Sequence, residues 1–194
     1  MVTGLEVAGI DLSLTSTGIA RACWDVPGDG VETITRRVQS KGAVDATLLE
    51  RDARLSLLVA TITDEVWDAR LVVIESPAYA SVSGHAHDRS GLWWCLVRTL
   101  LYRGIAVVEV TPQHRMQYAT GKGNAGKDTV LAAAVKRYAT WDITGNDVAD
   151  AVVLAAMGAR AVGRPIDEPM PQAHLRAMPR VRWPETLTTA GSPT

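Results

Sequence analysis

Residues 5–12 read LEVAGIDL, a run in which only Glu6 and Asp11 carry charge. A stretch this apolar is most simply a central strand, buried on both faces. A carboxylate at the end of such a strand is expensive to bury unless something offsets its charge. Two readings stay open at this point: Asp11 caps the following turn through its side chain, or it ligates a cation.

Outward from this strand, a Ser/Thr-rich turn (LSLTSTG) leads to a second apolar run at 18–24. The turn signals of VPGDG at 26–30 lead to an alternating stretch at 31–38, and together these predict a three-stranded antiparallel meander. Asp45 is placed to cap a long helix running to about Ala69. Its positions Leu55, Leu58, Val59, Ile62 and Val66 fall on one helical face. LVVI at 71–74 reads as a short buried strand, and it too ends on a carboxylate, Glu75. A Ser-, Gly- and His-rich loop follows Ser76-Pro77 to about Ser90. A helix is expected over 91–103, with Gly104 closing it, then a buried strand over 105–110. Thr111-Pro112 opens a short helix. GKGNAGK at 121–127 is a basic loop leading into a helix over about 128–138, and a final helix spans about 146–162. Pro recurs from residue 164 onward without periodicity, which predicts an extended or disordered tail over 164–194 after one domain at 1–163. The fold class is therefore α/β: a five-stranded mixed sheet, a three-strand meander plus parallel strands, flanked by helices.

Bulk properties narrow the function. No stretch approaches the length of a membrane span, and no basic leader precedes the first strand, so the expected location is cytoplasmic. Cys23 and Cys95 are isolated from each other and read as two reduced, buried thiols. The net charge of −1 hides an uneven distribution: residues 1–75 carry −5, residues 76–137 carry +5 and residues 138–194 carry −1. The middle third is a candidate electropositive surface.

The last helix begins GNDVADAVVLAAMGA, which sets Asp147 and Asp150 at i, i+3 on its first turn. Acidic residues there complement the helix dipole, but the apolar run from Ala151 to Met157 marks a buried helix rather than a solvated one. Four carboxylates thus end buried elements: Asp11, Glu75, Asp147 and Asp150. Clustered, they would repel one another, and Mg²⁺ or Mn²⁺ removes that difficulty. Two such ions can serve phosphodiester hydrolysis, and the set contains no covalent nucleophile. A hollow filled by Lys or Arg in place of cations would contradict this reading.

GIDLSLTSTG, VVIES, GKGNAGK and NDVADAVVLA, in that order over residues 5–162, resemble the RuvC group of RNase H-like nucleases, the Holliday junction resolvases of bacteria and phages. The resemblance implies that Asp11 bridges two metal ions and that Glu75, Asp147 and Asp150 complete the catalytic and metal-binding set. It implies DNA-phosphate contacts from Lys127 and Arg115 and an aromatic wedge from Tyr79, and the basic loop itself offers Lys122 to a DNA phosphate. It also implies a homodimer on branched DNA that acts as a crossover-junction endodeoxyribonuclease. The compact, Ala/Val/Arg-rich composition points to a phage or actinobacterial source, so the chain is expected in the bacterial cytoplasm. The sequence departs from the group at Leu12-Ser13, where Pro-Gly is common, and in the loop after Glu75.

Other readings compete. A nuclease of the same chemistry would cut flaps, forks or RNA–DNA hybrids, and a catalytically silent DNA-binding protein would keep the fold. A nucleotide-binding relative of actin and the sugar kinases needs two lobes, for which the chain is too short. GKGNAGKD lacks the Ser or Thr of a phosphate-binding loop, having Asp128 there, so no nucleotide cofactor is expected. His85 and His87 read as solvent-facing, and Trp93 and Trp94 as core and subunit contact.

Overall fold

The computed structural model describes residues 4–24, 30–77, 85–167 and 169–185. Three antiparallel strands open the chain, β1 (Leu5–Asp11), β2 (Ser16–Trp24) and β3 (Val31–Gln39). Helix α1 (Leu48–Glu65) leads to β4 (Leu71–Glu75), and α2 (Ala86–Tyr102) leads to β5 (Ala106–Val110). The sheet order is β3-β2-β1-β4-β5, with β4 parallel to both β1 and β5. The expected meander with added parallel strands is therefore what forms. Among the described residues, no helix is long and apolar enough to cross a membrane.

Strand alternation divides the core into two layers. Ala8, Ile10, Val72 and Ile74 face α1 and α2, where Leu58, Ile62, Leu96 and Leu100 bury against them. Val7, Leu71 and Val73 face the opposite side, covered by α3 (Pro112–Thr120), α4 (Lys127–Arg137) and α5 (Asn146–Ala161). Helix α5 is buried from Val148 to Ala159 apart from Asp150, as its all-round apolar sequence demands.

Close packing of α5 on β1 and β2 depends on two glycines. A Cβ on Gly9 would overlap the Ala151 carbonyl oxygen and the Ala155 amide nitrogen, and one on Gly18 would overlap the Asp147 carbonyl. The obstructing atoms are backbone, so the helix itself would have to lift. Gly9→Ala is expected to destabilise the fold by about 1–3 kcal/mol, the range of core overpacking, measured by chemical denaturation. Unchanged stability would mean that α5 does not rest on the sheet here.

Several local expectations are corrected. Thr47, not Asp45, caps α1: the Glu50 amide donates to Thr47 Oγ1 at 3.3 Å and the Thr47 amide to Glu50 Oε2 at 2.8 Å, a reciprocal box that outcompetes a lone Asp. That helix stops at Glu65, short of Ala69. Helix α2 starts at Ala86 rather than Gly91, which takes His87 into the helix and leaves His85 at its cap; both are exposed. Cys95 is exposed rather than buried, and Cys23 is half-buried.

The segment from 164 to 185 is not an extended tail. It folds into α6 (Gln172–Leu175) and a 3-10 turn at Met178–Arg180, and it buries Ala177 and Val181 in the α5-side core. Asp167 anchors it, accepting from Tyr118 Oη at 2.7 Å and Tyr138 Oη at 3.1 Å and pairing with Arg160. Frequent Pro breaks regular structure here, but it does not prevent isolated apolar and acidic side chains from packing.

Candidate active site

Ile10 lies opposite Ile74 across the parallel β1–β4 pair, so Asp11 and Glu75 end adjacent strands at one level. Alternation puts Val7, Gly9 and Asp11 on the same face as Val73 and Glu75. That is the α5 face, where Val7 and Val73 crowd Gly158. The first turn of α5 brings Asp150 over these strand ends. Glu75 and Asp150 thus come near enough to Asp11 to raise its pKa, and Asp147 adds a smaller push on both Asp11 and Asp150.

Asp147 takes a different direction. Ser16 Oγ donates to its Oδ2, and Arg37 Nη2 donates to its Oδ1 at 2.9 Å. The Val148 amide adds a third donor at 3.1 Å. Burial works against the charge of Asp147, but these donors and Arg37 outweigh it and hold the carboxyl below its usual value. Asp147 ties the start of α5 to β2 and β3, at the edge of the cluster.

The centre of the cluster holds an arginine, the arrangement that contradicts a site built for cations alone. Arg115 Nε donates to Glu75 Oε2 and its Nη1 donates to Asp150 Oδ1, with the side chain only 8% exposed. The resemblance had placed Arg115 on DNA phosphate; here it is buried among carboxylates. Burial opposes its charge, and Glu75 and Asp150 more than restore it. Lys127, at the start of α4, stands near enough to Asp150 to favour its ionised form, while Lys122 is exposed on the preceding loop. Tyr79 lies outside the described residues.

Arg115 does not neutralise the site. Burial, then the charges of Glu75 and Asp150, lift Asp11 from an ordinary 3.8 to about 7 despite the opposing pull of Arg115. Burial raises Asp150 to about 6 against the lowering by Arg115. An acidic excess of hard oxygen donors therefore remains, and it suits Mg²⁺ or Mn²⁺. Among the described residues, no three acidic, His or Cys side chains already stand as a cage for one ion, and Arg115 occupies one oxygen each of Glu75 and Asp150. The donor chemistry fits a divalent cation; the side-chain arrangement has to open to take it.

These shifts carry a pH signature. Asp11 and Asp150 bind protons more tightly folded than unfolded, so their stabilisation is complete below about pH 4 and is lost as pH rises through 6 and 7. Asp147 has the opposite sign, stabilising above its unfolded value and losing that contribution in acid. In EDTA, the melting temperature is expected to fall between about pH 5 and pH 8, and saturating Mg²⁺ should recover it at the upper end. A melting temperature flat or rising across that window would show that these carboxylates are not strained by one another.

Beside the carboxylates opens a cleft of about 310 Å³, lined by Asp11, Ser13, Glu75, Arg89, Ser90 and Trp93 among others. Trp93 faces inward, and its Nε1–H donates to the Glu75 carbonyl at 3.0 Å, fixing the end of β4. Arg54 performs the same service for the turn after Asp11, bonding the Leu14 carbonyl and Ser40 Oγ. Ser16, Arg37, Arg54, Arg89 and Trp93 were not singled out for these roles from sequence. Only the Ser/Thr cluster after Asp11 offered a signal, as a turn whose hydroxyls need partners.

The fold is RNase H-like, in the arrangement found in Holliday junction resolvases. Thermus thermophilus RuvC is similar at 16% identity with a TM-score of 0.62, over 86% of this chain and all of that one. The fowlpox virus resolvase is similar at 11% identity and 0.56, over 81% of this chain and 99% of that one. The yeast mitochondrial Holliday junction resolvase Ydc2 is similar at 11% and 0.53, over 77% of this chain and 75% of that one. No family model and no curated protein matches the sequence.

Proposed function

We propose that this chain is a divalent-metal-dependent endonuclease acting on branched DNA, with four-way junctions as its preferred substrate. The observation that carries the reading is the convergence of Asp11, Glu75 and Asp150 at the ends of two parallel strands and one helix, beside an open cleft. A second similar structure of Thermus RuvC and the fowlpox virus resolvase structure are complexes with Holliday junction DNA. Asp11, Glu75 and Asp150 would hold two ions, with Asp147 at the periphery. Bound there, the ions supply Lewis-acid activation of water and charge stabilisation at the leaving oxygen. The protein's own part is to fix the carboxylates on rigid elements and to bring a phosphate alongside them. Lys127 and Lys122 supply the positive charge for that phosphate, the former near Asp150. The direct test is Mg²⁺-dependent cleavage of an immobile four-way junction, compared with a flap and an RNA–DNA hybrid. Equal cutting of all three would favour the broader nuclease.

Arg115 favours a second reading, a junction-binding protein without cleavage, because its guanidinium already pairs two of the three acids. Junction binding with no cleavage in Mg²⁺ or Mn²⁺ would establish it.

We also infer a homodimer through the outer face of α2, where Trp94 is 65% and Leu101 55% exposed while Trp93 packs inward. Two copies would present two sites to symmetric strands. Trp94→Asp is expected to shift the protein from dimer to monomer in light scattering. A wild-type monomer at micromolar concentration would remove the inference.

A further inference from the structure

The position of Arg115 follows from the chain just before it. Val110 pairs with Glu75 across β4–β5, so β5 ends beside the glutamate. Thr111 then caps α3, its Oγ1 accepting from the His114 amide at 3.3 Å, and the Arg115 amide donates to the Thr111 carbonyl at 3.1 Å. One helical turn therefore returns Arg115 over the end of β4. Its guanidinium meets two carboxylates from two different elements, through two different N–H groups. A guanidinium held in this way is a bridging counter-charge between two acids rather than a group waiting for phosphate. Glu75 and Asp150 are also two of the acids that the proposed function assigns to the divalent cation.

We propose that Arg115 is an internal competitor of the divalent cation: the ion and the guanidinium exchange for the oxygens of Glu75 and Asp150. This rests on the metal-dependent reading above. Without metal, Arg115 offsets part of the repulsion among the buried acids and ties the end of β4 to α5. With metal, it gives up at least one carboxylate, and its charge becomes available to the DNA side of the cleft. The expected phosphate contact of Arg115 is then a second position of the same side chain, reached only after the cation binds. A protein that must first release an internal partner binds its ligand more weakly, in proportion to the fraction already open. Arg115 is thus a positioning residue that lowers metal affinity while it protects the metal-free fold.

The test uses the full chain and the metal alone, without DNA. Calorimetric titration with Mn²⁺ is expected to show Arg115→Gln binding at least tenfold tighter than wild type, with a lower melting temperature in EDTA. In wild type carrying ¹⁵N-arginine, the Arg115 Nε–H resonance, assigned through Arg115→Lys, is expected to shift or exchange out at saturating Mg²⁺. This second measurement needs no folded Gln variant. Mn²⁺ binding to Arg115→Gln that is no tighter than to wild type overturns the proposal, as does an Nε–H signal that Mg²⁺ leaves unchanged while the ion binds. If neither protein binds Mn²⁺, the metal-dependent reading falls as well, so the two failures are separable.

Discussion

Asp11→Asn is expected to reduce metal-dependent junction cleavage at least a thousandfold while junction binding stays within about threefold, because several kcal/mol of transition-state stabilisation depend on that charge. The substitution keeps side-chain shape and removes only the charge. β1 is held by β2 on one side and β4 on the other, so the residue has little freedom to move. Stability should not suffer. Asp11 ionises with difficulty in the metal-free protein, where its pKa is lifted to about 7 by burial and by its acidic neighbours. Near pH 8 in EDTA, the asparagine variant should therefore melt at the same temperature as wild type or higher. This combination, lost cutting with a retained or firmer fold, separates a site residue from a structural one. Cleavage within tenfold of wild type would remove Asp11 from the site.

Asp167→Ala is expected to have the largest effect on stability. The Asp167 side chain is fully buried, pairs with Arg160 and accepts both tyrosine hydroxyls. Removing it leaves a guanidinium and two buried hydroxyls without their acceptor. Breaking a buried ion pair from one side costs about 3–5 kcal/mol, which in a chain of this size corresponds to a drop of about 10 °C in melting temperature. Asp167→Asn should fall between, since an amide oxygen still accepts a hydrogen bond but cannot balance Arg160. A change of less than about 3 °C for the alanine variant would mean that the C-terminal segment contributes little to the fold.

The sequence carried the sheet because burial and period are local properties. LEVAGIDL and LVVI are apolar enough to read as strands buried on both faces, and the turns between the first three strands allow only a meander. The acidic strand ends were legible for the same reason, since a carboxylate closing an apolar run is conspicuous. The direction of side chains was not legible. Asp147 and Asp150 share a helical turn, yet one faces Ser16 and Arg37 and the other faces Arg115. Only the distances between distant segments decide that. Arg115 was expected on DNA phosphate because nothing within a few residues of it marks burial among acids; its partners lie 40 and 35 positions away. The expectation of an extended tail fails over 164–167 and 169–185 because the contacts that hold this segment, from Asp167 to Tyr118, Tyr138 and Arg160, are tertiary and leave no periodic trace; 186–194 lie outside the described residues.

That late segment bears on how the molecule comes into being on the ribosome. Helices α3 and α5, which supply Arg115 and Asp150, lie on the layer that Ala177 and Val181 help to seal. A nascent polypeptide released only as far as residue 163 would display Arg160 with no acid opposite it and two tyrosine hydroxyls lacking their acceptor. Such an intermediate would leave the α5-side layer without the Ala177 and Val181 side chains that cover it. Release of the chain through residue 181 is thus required before the layer that carries Arg115 and Asp150 can close.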